Sequence, residues 1–280
     1  MRCSQAVRHR VLVPAFPGSN PGTSDFLFFL VQNMDTNCKA IVLAAGKGVR
    51  MQSEMPKVLH RLSGKPLVLH VIDNLMHAGL KEEDIIVVVG YRGDDVIHAI
   101  GNRVQFVWQN EQLGTGHAVM QAEQALQGYN GIVIVACGDV PLIKPETFSM
   151  LFATANDPKT GAVVLTMELD NPFGYGRIIR DEHGNLLKIV EEKDATTQQK
   201  AIREVNTGTY AFKSPLLFQG LKTVTTENAQ REYYLPDALT YIRSTGNTVK
   251  IIKLEDPIQG SGINSKEELS KLEDIISKFN

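Results

Sequence analysis

No stretch of this chain is long and apolar enough to suggest a membrane span. The longest apolar run near its start, Phe26 to Val31, falls far short of the roughly 20 residues a bilayer core demands. A secretory signal is missing as well: Arg8 and Arg10 are followed by Pro14, Pro17, Gly18, Pro21 and Gly22 rather than by a continuous apolar segment. Charge of one sign is not in excess. The formal net charge is −2, with acids and bases interspersed, which argues against a nucleic-acid or membrane-surface binder. Cysteine is scarce: Cys3, Cys38 and Cys137 are an odd number with no metal-ligand spacing. That excludes a disulfide framework and fits a reducing cytoplasm.

What is present divides at about residue 36. Residues 1–36 are rich in Pro, Gly and Ser, show no sustained period, and are expected to form a disordered N-terminal extension, with Met34 a candidate start. From Lys39 onward, apolar runs rich in β-branched residues recur: Ala40–Ala44, Ile85–Val89, Val104–Trp108, Ile132–Ala136 and Ala162–Leu165. Three of them close on a glycine, and their lack of alternation suits strands buried on both faces. Between them, Leu67, Val68, Val71, Ile72, Leu75 and Met76 recur at helical spacing, as do Ala118, Val119, Ala122, Ala125 and Leu126. Strand alternating with helix predicts an α/β domain over 37–280, with a mostly parallel sheet covered on both sides. Its site belongs at the C-terminal ends of the strands. Beyond Gly174 the spacing predicts a hairpin over Arg177–Glu191, a strand over Val205–Phe212, helix over Leu235–Arg243, strand over Val249–Leu254 and a terminal helix over Lys266–Phe279.

Polar residues gather at those strand ends. Leu43-Ala44-Ala45-Gly46-Lys47-Gly48 closes the first strand, and its glycines allow close approach to a phosphate. It lacks the third glycine of a dinucleotide fingerprint and the Gly-Lys-Ser/Thr of a P-loop, but Arg50 and Lys57 add two cations. The competing reading is a tight strand-to-helix turn. In Gln109-Asn-Glu-Gln-Leu-Gly114-Thr115-Gly-His117, the Gln109 amide suits a pyrimidine edge, and Gly114 and Thr115 stand at a helix start. Thr115 suits a plain N-cap equally well, and His117 reads as structural. Cys137-Gly138-Asp139-Val-Pro141 puts a carboxylate at the mouth of a buried strand, as a hard cation such as Mg²⁺ requires. Gly176, Glu191 and Asn206 suit sugar hydroxyls or turn punctuation, and Asn264 suits a ligand or an N-cap.

In order, these segments resemble the uridyltransferase domain of the bifunctional N-acetylglucosamine-1-phosphate uridyltransferase family. The likeness rests on Leu43–Gly48 with Arg50-Met51, Pro56–His60, Glu111–His117, Gly138–Leu142, Gly174–Ile178, Val190-Glu191 with Lys193–Ala195, Asn206–Gly208 and Glu232–Tyr234, and covers Lys39 to the end. It implies a Rossmann-like nucleotide-diphosphosugar transferase fold that joins UTP and N-acetylglucosamine 1-phosphate into UDP-N-acetylglucosamine, a cell-envelope precursor. It implies that Leu43, Ala44, Ala45 and Gly46 contact the nucleotide, Arg50 and Lys57 its phosphates, and Gln109, Gly114 and Thr115 the uridine. It further implies Mg²⁺ on Asp139 and Asn264, and the amino sugar held by Cys137, Gly138, Gly176, Glu191 and Asn206. Cys137 and Pro236 stand where that family commonly has Tyr and Thr, which leaves the sugar open to alternatives. A different sugar or nucleotide, or a non-catalytic nucleotide-sugar sensor, are the rivals. The hexapeptide repeats of the family's acetyltransferase domain do not occur, so no acetyltransferase activity is expected.

Overall fold

The structure, a computed structural model, describes residues 37–277. The extension over 1–36 and the choice of Met34 as a start therefore lie outside the described residues. Strand β1 (Cys38–Ala44) is central. It pairs in parallel with β4 (Ile85–Val89) on one side and β6 (Ile132–Cys137) on the other. Strand β5 (Gln105–Trp108) adds in parallel beyond β4. Past β6 come β10 (Glu204–Lys213), β7 (Thr160–Glu168) and β11 (Thr248–Lys253), giving the order β11-β7-β10-β6-β1-β4-β5. Of these seven strands only β10 runs against its neighbours.

The predicted hairpin forms as β8 (Arg177–Arg180) and β9 (Leu186–Val190), attached to β10 at Val205. Strands β2 (Arg61–Leu62) and β3 (Lys65–Pro66) make a separate small ladder.

Alternate residues of β1 serve two cores, the consequence of a strand's two-residue period. Ala40, Val42 and Ala44 pack on one face with α1 (Leu67–His77) and α4 (Pro145–Ala155). Ile41 and Leu43, with Ala45 just past the strand, pack on the other with α3 (Thr115–Met120), α6 (Ser214–Leu221) and α7 (Ala238–Ser244). The remaining helices are α2 (Gly93–Ile100), α5 (Thr197–Lys200) and α8 (Lys266–Ser277).

Two predicted helices are broken. The apolar series from Ala118 ends its regular helix at Met120, where the N–H groups of Gln121, Ala122 and Glu123 turn to acceptors three residues back. Leu126 N–H then bonds both the Ala122 and the Glu123 carbonyls, at 3.1 and 3.2 Å, which keeps Ala122 and Leu126 on the buried face while Ala125 is exposed. Leu235–Asp237 is likewise a 3₁₀ turn, with Pro236 in its first positions, before α7 begins.

Candidate active site

Two cavities open at the C-terminal ends of β1 and β6, where the parallel strands were expected to put a site. One, of about 320 Å³, is lined by Leu43 to Gly46, Lys57, Gln109, Gln112, Gly114, Thr115 and Glu232. The other, of about 270 Å³, is lined by Arg50, Gly176, Glu191, Asn206, Pro236 and Asn264 among others. Leu43, Thr115, Cys137 and Asp139 line both, so the cavities meet at the end of β6. Gly138 lines neither: its N–H donates to the Leu43 carbonyl at 2.9 Å and ties the β6 turn to β1. Arg50 stands in the second cavity, beside Gly174 and Tyr175, rather than in the first.

At the junction the Lys57 ammonium makes a close ion pair with the Asp139 carboxylate and donates to Asn264 Oδ1 at 3.0 Å. Lys57 belongs to a 3₁₀ turn, Lys57–Leu59, that follows Pro56. Asn264 comes from a distant segment held in place by three backbone donors. Ile263 N–H bonds the Asp139 carbonyl, Gly262 N–H bonds the Tyr175 hydroxyl at 3.3 Å, and Asn264 N–H bonds Glu268 at 2.6 Å. The cap of α8 is Ser265, whose hydroxyl accepts from Glu268 N–H. Asn264 is thereby released from the capping role that its position before a helix suggested, and its side-chain oxygen faces the site.

The oxygens of Asp139 and Asn264 converge on one cation, the Lys57 ammonium. Among the described residues no group of three or more His, Cys, Asp or Glu gathers anywhere to cage a metal. One carboxylate and one amide oxygen make a donor set suited to an ion that keeps waters and shares substrate phosphates, as Mg²⁺ does.

In the first cavity Gln109 is buried. Its Nε2 donates to the Gly114 carbonyl and to His117 Nδ1, both at 3.1 Å. Its donors are spent within the protein, which leaves the amide oxygen to accept from a ligand. His117 is structural, as its sequence context suggested. The Thr115 hydroxyl accepts from Leu235 N–H at 3.1 Å instead of capping its own helix. Gly114 has φ of 106°, and a Cβ there would lie 2.6 Å from the Tyr233 carbonyl oxygen, so only glycine fits.

In the second cavity a register shift in β10 between Asn206 and Tyr210 brings Asn206, Thr207 and Gly208 to the cavity lining. Asn206 Nδ2 donates to the Tyr210 hydroxyl at 2.6 Å, and Asn206 Oδ1 accepts from Gly208 N–H at 3.0 Å. Gly208 has φ of 79°, and a Cβ there would fall 2.9 Å from Cys137 Sγ. Burial, and then the nearby Asp139 carboxylate, push the Cys137 thiol up to about 12, so it stays a neutral wall group. Burial, with Asp237, Asp194 and Glu232 adding repulsion, pushes the Glu191 carboxyl up to about 7. Its neighbour Glu192 moves the other way. Burial pulls it up, but the Arg177 guanidinium at 2.7 Å and the Gly174 N–H outweigh that and hold it below the usual range. Arg177 is 2 % exposed and also donates to the Tyr175 carbonyl, so this pair anchors the turn that carries Gly176.

A family model of the MobA-like NTP transferase domain matches residues 40–205, the stretch that supplies Leu43 through Glu191. The chain belongs to that family. A bifunctional protein GlmU of Halalkalibacterium halodurans is 45% identical over 243 residues, 87% of this chain and 53% of that protein. A bifunctional protein GlmU of Syntrophotalea carbinolica is 47% identical over 233 residues, 83% of this chain and 50% of that protein. The chain thus spans about half the length of these curated relatives. Among solved structures, one from Bacillus anthracis assigned as a glucose-1-phosphate thymidylyltransferase superposes with a TM-score of 0.66 at 20% identity, over 87% of this chain and 96% of that one. That likeness shows the shared nucleotidyltransferase fold.

Sequence reasoning gave no role to Glu232, Gln112, Tyr175 or Leu235, all of which line the cavities. Glu232 and Leu235 lie in or beside the Glu232-Tyr-Tyr234 segment, whose place against Gly114 is decided by tertiary pairing and has no local signature.

Proposed function

We propose that this chain condenses UTP with N-acetylglucosamine 1-phosphate, forming UDP-N-acetylglucosamine and pyrophosphate. The observation that carries this reading is the meeting of the two cavities at Asp139, where the Lys57 ammonium bridges the Asp139 carboxylate and the Asn264 amide oxygen. The fold, the family and the curated relatives support it.

In this reading the first cavity holds the nucleotide and the second the sugar. A phosphate oxygen of the sugar 1-phosphate attacks the α-phosphorus of UTP. The new P–O bond forms as the bond to the β-phosphate oxygen breaks, and pyrophosphate leaves with that electron pair. The nucleophile is already anionic at neutral pH, so no general base is required. The protein's task is alignment and charge neutralisation. Lys57 turns its ammonium toward the triphosphate, Arg50 stands over the sugar side, and the backbone of Leu43 to Gly46 lines the nucleotide path. Gln109 accepts from the uracil N3–H, and Glu191 and the Asn206 turn hold sugar hydroxyls. Mg²⁺ held by Asp139 and Asn264 would neutralise phosphate charge and clamp the reacting groups. Cys137 and Pro236 form part of the sugar-side wall and are expected to influence which sugar is accepted.

A reducing, cytoplasmic setting is part of the proposal. Cys38 and Cys137 are both free and lie near opposite ends of adjacent strands. No helix among the described residues is long and apolar enough to cross a membrane.

The test is pyrophosphate release across a panel of sugar 1-phosphates and nucleoside triphosphates. N-acetylglucosamine 1-phosphate with UTP is expected to give the highest kcat/KM. A higher value for glucose 1-phosphate or another nucleotide would reassign the substrates. Nucleotide-sugar binding by calorimetry with no turnover would make the chain a sensor.

A further inference from the structure

The nucleotide cavity contains a carboxylate that the proposed reaction does not use. Glu232 lines it beside Gln109, Gln112, Gly114 and Thr115. Among the described residues no donor or cation bonds the Glu232 carboxylate. Its backbone, by contrast, is fixed from both sides. Asn228 Oδ1 accepts from Glu232 N–H at 3.1 Å, and Asn228 Nδ2 donates to the Glu232 carbonyl at 2.6 Å.

The next residue, Tyr233, donates its N–H to the Leu113 carbonyl at 2.8 Å and accepts from Gly116 N–H at 2.7 Å. Glu232 is thereby pinned opposite Gly114. A Cβ added to Gly114 would lie 2.8 Å from the Glu232 Cβ.

An anion with neither a bonded cation, as Asp139 has in Lys57, nor a metal to hold is costly near the phosphates of a bound triphosphate. It is tolerable only at the nucleoside end, where hydroxyl and N–H donors need acceptors. The base donor is already served, because the Gln109 side chain has spent its N–H groups and turns its oxygen outward. The donors left over are the ribose hydroxyls, and a carboxylate is a strong acceptor for them. We propose that Glu232 is a specificity-determining residue that accepts a hydrogen bond from the ribose of the nucleotide and selects ribonucleotides over deoxyribonucleotides.

This rests on the nucleotidyltransferase reading, and the experiment separates the two. kcat/KM is measured for UTP, 2′-deoxy-UTP and 3′-deoxy-UTP in wild type, Glu232→Gln and Glu232→Ala. Binding of each nucleotide to the protein is followed by calorimetry in parallel. Wild type is expected to favour UTP over at least one deoxy analogue by about 10- to 100-fold, the scale of a hydrogen bond to a charged group. In Glu232→Ala the preference collapses toward one, because UTP loses and the analogue does not. Glu232→Gln keeps one acceptor and falls between. Thermal midpoints report whether the variants are folded, and Glu232→Gln is nearly isosteric. Equal losses for UTP and its deoxy analogues would reduce Glu232 to a structural group and overturn the proposal. So would a wild type indifferent to the ribose, or a preference that survives in both variants. If wild type releases no pyrophosphate, the enzymatic reading fails, and the calorimetric ratios still decide the role of Glu232.

Discussion

The Lys57 ammonium donates to Asn264 Oδ1 at 3.0 Å across 207 positions of sequence, while also touching Asp139. Neither partner is near Lys57 in the chain, so the contact is a product of the fold. It brings a cation, a carboxylate and an amide oxygen to one point where two cavities join. Replacing Lys57 by Met removes the charge and keeps most of the side-chain volume. Turnover is expected to fall by about 10²- to 10³-fold, the scale of losing one preorganised charge contact. Circular dichroism should show an unchanged fold. A kcat/KM within threefold of wild type would remove Lys57 from the reaction.

Glu191 and Glu192 are adjacent and titrate in opposite directions. The folded Glu191 pKa is raised to about 7, above its unfolded value. Its ionisation therefore weakens the native state progressively as pH rises from the unfolded carboxylate range to about 7. Glu191→Gln should raise the thermal midpoint of the unliganded protein at pH 8 and show little gain at pH 4. The same variant should weaken sugar-phosphate affinity. A midpoint gain independent of pH would contradict the buried-carboxylate account.

Glu192 carries the reverse sign. Its folded pKa is depressed, so it stabilises the protein above the unfolded carboxylate pKa, and that stability is lost as pH falls through the folded value. Glu192→Gln leaves Arg177 buried without its counter-ion. A loss of about 3 kcal/mol at pH 7 is expected, shrinking in acid, as measured by urea unfolding.

His117 tests how the base is read. It holds the Gln109 amide with its oxygen toward the cavity. His117→Leu frees that amide to rotate, and preference for UTP over CTP should fall about tenfold or more with the sugar-phosphate KM little changed. An unchanged nucleotide preference would show that Gln109 is oriented by Gly114 alone.

Gly114→Ala puts a methyl 2.6 Å from the Tyr233 carbonyl in a left-handed backbone. A destabilisation of about 1–3 kcal/mol and a raised KM for UTP are expected, measured by thermal unfolding and steady-state kinetics.

Much of this was legible before any coordinates. The runs at Ala40, Ile85 and Ile132 announced buried parallel strands because β-branched residues without alternation suit little else. Leu43, Gln109 and Asp139 stood out because each lies at or just beyond a strand's C-terminal end. Local pattern failed where distant chain decides the outcome. Thr115 looks like a helix cap, yet its hydroxyl accepts from Leu235. Asn264 looks like one too, until Ser265 is seen to do that work. The apolar series at Ala118 reads as one helix, although it tightens after Met120. Glu232 belongs to one of the segments that carry the likeness but has no role readable from its neighbours, because its place beside Gly114 depends on pairing between Leu113, Gly116 and Tyr233.

The most direct test follows UTP and N-acetylglucosamine 1-phosphate by phosphorus NMR with wild type and Asp139→Asn in Mg²⁺ buffer. Wild type should yield the nucleotide-sugar diphosphate and pyrophosphate in equal amounts, with the variant folded and at least about a hundredfold slower. No product from wild type, or equal rates in the two proteins, would contradict a reaction centred on Asp139.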